Sequence, residues 1–288
     1  MYWIIGNQGM LGQELSHLFG AEGIAYIGTD KEVDITKPET LVKQRQPFDW
    51  VINCAGYTAV DNAEDDKALC RKLNVDGPDN IAAFAQTSGA KMLHISTDYV
   101  FSGAHTTPYR EEDPTDPIGV YGQTKRDGEQ GVLKRNGFII RTSWLYGQYG
   151  KNFVNTMLRL MNERDSVSVV HDQRGSPTYA HDLAAVIHTL TKTVDAGGAI
   201  SPGIYHYTNE GGITWYDFAA EIFRLGRELR VLKRDCTIRP CATSEYPTKA
   251  VRPAYSVLDT SKIKRTLALT IPDWKISLKQ YLTVRSGQ

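Results

Sequence analysis

The chain has 288 residues, 41% of them apolar, with 33 basic side chains balancing 33 acidic ones. That length and composition exclude a disordered chain and allow one large or two moderate domains with ample core. Zero formal net charge argues against a long-range grip on nucleic acid or an anionic membrane, and runs such as Gly137–Ile140 are far too short to span a bilayer.

In chain order, the first half alternates short apolar runs with longer stretches of helical spacing. Tyr2–Ile5 reads as a strand, followed by a helix in which Leu11, Leu15, Leu18 and Phe19 repeat at helical intervals. Ile24–Ile27 is the next strand, and a helix is expected over 38–46 with Pro38 in its first turn. Trp50–Cys54 reads as a strand, and 63–85 as helical with a break near Gly77–Pro78. Lys91–Ser96 and Phe138–Thr142 are further buried strands. Strands separated by crossover helices predict a parallel sheet covered on both faces, the doubly wound α/β class of Rossmann type. Beyond Trp144 the rhythm loosens. Helices are expected at 153–161, 182–190 and 214–225, the last capped by Thr214, with extended segments at 167–170 and 203–207. The expected division is a dinucleotide-binding domain over 1–146 and a smaller α/β substrate domain over 147–288, with parts of 165–195 returning to the first.

The N-terminal stretch has neither a basic region nor a long apolar segment of the secretory kind, and none of Cys54, Cys70, Cys236 and Cys241 forms a CxxC pair. The expectation is a cytoplasmic protein with reduced thiols and no metal.

The sharpest local feature is Gly6-Asn-Gln-Gly9-Met-Leu-Gly12 between a strand and a helix. A nucleotide pyrophosphate needs this combination: a tight turn, close backbone approach, and a helix N-terminus facing the phosphate charge. With 25 glycines in the chain, a GxxGxxG spacing is expected about 0.2 times by chance, and its place after the first strand makes it far more specific. Asp30, 18 residues beyond Gly12, stands where an acidic residue binds the adenosine ribose. Lys31 beside it favours a 2′-phosphate instead, so the pair leaves NADPH and NADH both open. Tyr121 and Lys125 form a YxxxK, a spacing that chance alone supplies about once in such a chain. Its context is more telling, because HISTDYVF upstream offers Ser96 and Thr97 hydroxyls at a strand end. On a helix, Tyr121 and Lys125 share a face, where the ammonium lowers the phenol's pKa and fits it for proton transfer.

These motifs, together with VDIT (33–36), NCAGYTAVDNAE (53–64), LNVDGP (73–78), RTSWLYG (141–147), NFVNTMLRL (152–160), DQRGSPTYAHDLA (172–184) and RPAYSVLD (252–259), cover nearly the whole chain. It resembles the extended short-chain dehydrogenase/reductases and, more narrowly, the dTDP-4-dehydrorhamnose reductase family. The resemblance implies reduction of a dTDP-sugar ketone with NADPH or NADH. Gly6, Gln8, Gly9, Met10, Leu11 and Gly12 would cradle the pyrophosphate, Asp34 and Ile35 would line the adenine, and Ala55, Gly56 and Tyr57 would lie under the nicotinamide half. Thr97 would hold the reacting oxygen, Tyr121 would give the proton, and Lys125 would bind the nicotinamide ribose. Thr58, Val60, Asp98, Tyr99 and Trp144 would contact the deoxysugar, and Asn152, Arg174, Pro177 and Thr178 the nucleotide end. Some family members dimerise through magnesium held by C-terminal carboxylates. The stretch after Asp273 has no acidic residue, so no such bridge is expected, and monomer and homodimer both stand. Two competing readings are a reductase or epimerase of another nucleotide-sugar and a non-catalytic regulatory subunit like that of methionine adenosyltransferase. The intact Thr97, Tyr121 and Lys125 argue against the latter.

Overall fold

A computed structural model describes residues 1–287. Its centre is a six-stranded parallel sheet of β1 (Tyr2–Ile5), β2 (Tyr26–Thr29), β3 (Trp50–Asn53), β4 (Lys91–Thr97), β5 (Phe138–Thr142) and a sixth strand, Gly203–His206. The spatial order is sixth–β5–β4–β3–β1–β2. The chain therefore runs outward from β1 to β2, then crosses back to place β3 on the other side of β1. Ligands of open α/β sheets sit at such a switch point, beyond the carboxyl ends of the strands.

Each strand is apolar almost throughout because both of its faces are covered. Ile4, Trp50, Ile52, Leu93, Phe138 and Ile140 point to one face. There they pack with Leu11, Leu15 and Phe19 of helix α1 (Met10–Ala21) and with Leu183, Ile187 and Leu190 of helix Ala180–Asp195. Trp3, Ile5, Val51, Met92 and Ile139 point to the other, against Ile81, Ala85 and Val132 of helices Gly77–Ser88 and Val120–Leu133. The period of two is that of a strand, and each large side chain so buried contributes about 1.5–3 kcal/mol. A further cluster joins Tyr146, Val154, Leu158, Phe218, Ile222, Trp274 and Leu278, built from helices Phe153–Glu163, Trp215–Glu228 and Trp274–Ser286. Against this cluster, Ser166–Val170 pairs in parallel with Thr237–Cys241.

Three elements depart from expectation. The second strand starts at Tyr26 rather than Ile24, because the Ile24 amide closes the end of α1 by donating to the Phe19 carbonyl at 2.8 Å. The helix expected over 38–46 stops at Leu41, ahead of Gln46, whose place before Pro47 disfavours helical backbone. The expected break before Gly77 takes the form of a π-turn over Lys72–Asp76, and Gly77 then opens the following helix. Thr214 does cap its helix, accepting from the Asp217 amide while the Asp217 carboxylate accepts from the Thr214 amide.

Candidate active site

A cleft of about 900 Å³ runs across the carboxyl ends of β1 to β5. At one end lies the glycine turn. Gly6 has φ +79°, and a Cβ there would stand 2.7 Å from the Ala55 amide nitrogen, so no other residue fits. Gly12 lets α1 lie directly on this turn, since a Cβ at that position would be 2.3 Å from the Gly6 carbonyl oxygen. The helix opens without a side-chain cap on its amides and without an acid in its first turn. Its positive end is therefore left free for an anionic group. Gly6, Gly9, Met10, Leu11, Gly12, Asp30, Lys31, Asp34, Ile35, Ala55 and Gly56 all line this end of the cleft. A dinucleotide pyrophosphate fits such a cradle.

The other end holds the titratable groups. Thr97 closes β4, and its hydroxyl accepts from the Tyr99 amide at 3.2 Å and donates to Asp98 Oδ1 at 3.0 Å. Helix Val120–Leu133 carries Tyr121 and Lys125 one turn apart. It can approach this turn because Gly122 has no side chain: a Cβ there would be 2.0 Å from the Tyr99 carbonyl oxygen. Burial pushes the Tyr121 phenol up, and the hydrogen bond with Thr97 pulls the other way. Burial also lowers the Lys125 ammonium to about 8, with Glu129 opposing. The Lys125 ammonium donates to the Ile95 carbonyl at 2.6 Å. Asp98 is buried and its carboxyl is raised to about 7 by that burial, against hydrogen bonds from Ser256 and Thr97.

Thr58, Val60, Asp98, Tyr99 and Trp144 line this end as well. Trp144 is held at φ +46°, in the left-handed region that side-chain-bearing residues seldom adopt. Its ring stacks on Trp215 with centroids 3.5 Å apart, and Gly175 lies close against it, where a Cβ would be 2.5 Å from the indole.

The remaining expected residues lie elsewhere. The Gln8 side chain is exposed and its carbonyl accepts from Gln13. The Tyr57 amide and carbonyl are both held by the Asn74 carboxamide, at 2.8 and 3.1 Å. Asn152 is buried and caps helix Phe153–Glu163 by accepting from the Asn155 amide, while donating to the Gly147 carbonyl. Thr178 is fully buried and accepts from Thr142 at 3.1 Å. Pro177 is buried, and Arg174 is exposed on a short strand pairing with Ile213–Thr214. None of these six lines the cleft, and fold-building hydrogen bonds and burial occupy Asn152, Pro177 and Thr178. The Asp34 carboxylate does line the cleft but is turned on Thr36, whose amide and hydroxyl hold it low.

Residues not singled out from sequence also form its walls, among them Ser143, Lys151, Trp215 and Arg252. The Arg252 guanidinium donates to Asp61 at 2.8 Å and to the Tyr99 hydroxyl at 3.2 Å. It stands first in RPAYSVLD, a motif whose match was visible in the sequence though the arginine's place was not.

The chain matches the family described as RmlD substrate binding domain over residues 2–286. It belongs to that family. A dTDP-4-dehydrorhamnose reductase of Streptomyces griseus is 42% identical, covering 99% of this chain and 94% of the relative. A probable dTDP-4,6-dihydroxy-2-methyloxan-3-one 4-ketoreductase of Streptomyces antibioticus is 40% identical over 97% of this chain and 94% of its own length. The crystal structure of a Bacillus anthracis dTDP-4-dehydrorhamnose reductase in complex with NADP superposes with a TM-score of 0.90. It is 38% identical and 98% of each chain is covered. Among the described residues no helix is long and apolar enough to cross a membrane, and no His, Cys, Asp and Glu cluster has the make-up of a metal site.

Proposed function

We propose that the chain reduces the C-4 ketone of dTDP-4-dehydro-β-L-rhamnose to dTDP-β-L-rhamnose with NADPH, in the cytoplasm, as a step in making activated rhamnose for cell-surface polysaccharide. The observation that carries this reading is the cleft itself, with a free helix N-terminus on a glycine turn at one end and Thr97, Tyr121 and Lys125 converging at the other. The family's reductases and the NADP-bound Bacillus anthracis structure support it.

When bound, the reduced nicotinamide supplies the hydride. The protein supplies position and charge. With substrate bound, Thr97 turns its hydroxyl proton from Asp98 to the ketone oxygen, and Tyr121 protonates that oxygen as negative charge grows on it. Lys125 holds the nicotinamide ribose and steadies the Tyr121 phenolate left behind. Asp98, on the wall of the cleft, accepts from a sugar hydroxyl, which orients the ring. Trp144, backed by Trp215, forms the apolar wall against the deoxysugar. Lys31 at the rim offers a cation to a 2′-phosphate, and Asp30 beside it accepts from a ribose hydroxyl.

The test is loss of reduced-nicotinamide absorbance with dTDP-4-dehydro-L-rhamnose generated in situ, run in parallel with NADPH and NADH. Rapid oxidation, faster with NADPH, is expected. No oxidation by protein that binds NADPH, but turnover of another dTDP-ketosugar, would favour the second reading. That reading is supported by the Streptomyces antibioticus ketoreductase, at 40% identity against 42% for the Streptomyces griseus reductase.

A further inference from the structure

Lys125 has a neighbour that the reductase reading leaves without a role. His94 lies wholly buried in β4, its Nε2 3.3 Å from Lys125 Nζ and its Nδ1 3.0 Å from Asn53 Nδ2. Which ring nitrogen carries the proton follows from the next bond along. Asn53 Oδ1 accepts from the Ala55 backbone amide at 3.0 Å, an obligatory donor, so the carboxamide must turn its NH₂ toward His94. An amide NH₂ only donates, hence His94 Nδ1 must accept. Burial, with the nearby ammonium, holds the His94 pKa well below the ordinary value, so the ring is neutral and its single proton sits on Nε2. That N–H points at the Lys125 nitrogen.

An ammonium has only donors, so it cannot use this N–H, whereas a neutral amine presents a lone pair to it. Among the described residues, the one acceptor bonded to Nζ is the Ile95 carbonyl. Glu129, one turn further along the same helix, favours the charged form. The imidazole opposes it from the strand side.

We propose that His94, locked by Asn53 as the Nε2–H tautomer, is a positioning residue that stabilises the neutral amine of Lys125 and so makes its ammonium a readier proton donor behind Tyr121. This rests on the reductase reading for its purpose, though its geometry stands without it. The proton balance is simple. Tyr121 gives its proton to the ketone oxygen. The phenolate regains one at the expense of the Lys125 ammonium, and the resulting amine accepts from His94 Nε2–H until solvent restores the ammonium.

The test uses the NADP-bound protein and two readouts that need no turnover. Nitrogen NMR of ¹⁵N-histidine-labelled protein should show His94 with a protonated Nε2 and an unprotonated Nδ1. Carbon NMR of ¹³C-lysine-labelled protein, with the Lys125 signal assigned by its loss in Lys125→Met, gives the titration midpoint directly. His94→Leu removes the opposing N–H and should raise that midpoint by about one pH unit, a tenfold change in proton dissociation. His94→Gln, which returns an N–H near the same place, should bring it back most of the way. Asn53→Asp accepts from both neighbours, turns the imidazole to the opposite tautomer and should also raise the midpoint. A proton on Nδ1 in the unmodified protein, or a Lys125 midpoint that stays put in folded His94→Leu and Asn53→Asp, would overturn the proposal. Neither result would touch the question of substrate, which the absorbance assay decides separately.

Discussion

Gly175→Ala probes Trp144 from outside the cleft. Gly175 does not line the cavity, and its backbone lies outside the left-handed region, so alanine brings no conformational strain of its own. The new methyl would stand 2.5 Å from Cε2, 2.6 Å from Nε1 and 2.7 Å from Cζ2 of the Trp144 indole. Carbon contacts settle at about 3.5–4.0 Å, so the ring has to retreat by about 1 Å. Trp215 already stacks on the ring, with planes only 9° apart. Both rings line the cleft, so the retreat reshapes its sugar end. A displacement of that size in a positioning surface costs about 100-fold in rate, or ~2.7 kcal/mol at the transition state. We expect kcat/KM for the dTDP-ketosugar to fall about 30- to 100-fold. NADPH affinity, followed by nicotinamide fluorescence, should stay within about twofold because the glycine turn lies at the far end. An unchanged kcat/KM would refute the assignment of Trp144 to the sugar wall. An equal loss of cofactor affinity would show a global disturbance instead.

Three further outcomes are expected. Tyr121→Phe should lower kcat about 10²- to 10⁴-fold with NADPH binding and melting temperature preserved; near-normal turnover would remove Tyr121 from the mechanism. Glu129 and Arg141 form a two-point ion pair at 2.8 and 2.7 Å, their side chains 1% and 3% exposed. Glu129→Gln leaves a buried guanidinium uncompensated and should destabilise by about 3–5 kcal/mol, lowering Tm by about 5–8 °C, with partial recovery on adding Arg141→Met. Asp98 keeps its proton up to about pH 7 when folded, well above the ordinary carboxyl value of about 3.9. Between those values the folded protein binds the extra proton, so its stability falls as pH rises, by at most ~4 kcal/mol. Asp98→Asn lacks this titration, and the stability difference from the parent, read from urea melts at pH 4.5 and 8, should move in the variant's favour; a constant difference would show that the carboxyl is not held up.

The glycine turn and the Tyr121–Lys125 pair could be read from sequence because each lies within one local element whose geometry its own residues dictate. Gly6, Gly9 and Gly12 follow a strand and open a helix, and four-residue spacing on one helix puts Tyr121 above Lys125. What stayed hidden depends on partners far apart in the chain. Trp215 is the first residue of its helix, and only folding lays it on Trp144. Asn152 and Thr178 fall in motifs shared with the family, yet a polar residue in a motif serves the fold as readily as a ligand, and here one caps a helix and the other takes a hydrogen bond from Thr142. The final helix escaped notice although Asp273 caps it and Leu278, Tyr281 and Leu282 repeat at helical spacing. Thr237–Cys241 had no such signal, because most of its side chains face solvent.

The outermost strand of the sheet has a consequence for how the molecule is made. Gly203–His206 pairs with β5 from Phe138 to Arg141, but it leaves the ribosome only after some 60 intervening residues, about 3–12 s of synthesis. Throughout that interval the edge of β5 presents unpaired backbone groups beside an apolar strand, the kind of edge to which another chain can add. The Arg141 side chain, 3.4 Å from His206 in the finished fold, lacks its outer cover for the same interval. A nascent or truncated chain ending near residue 146 therefore exposes a sticky margin that the full-length protein never shows. Expressed alone, the first half should aggregate rather than fold into an independent nucleotide-binding module.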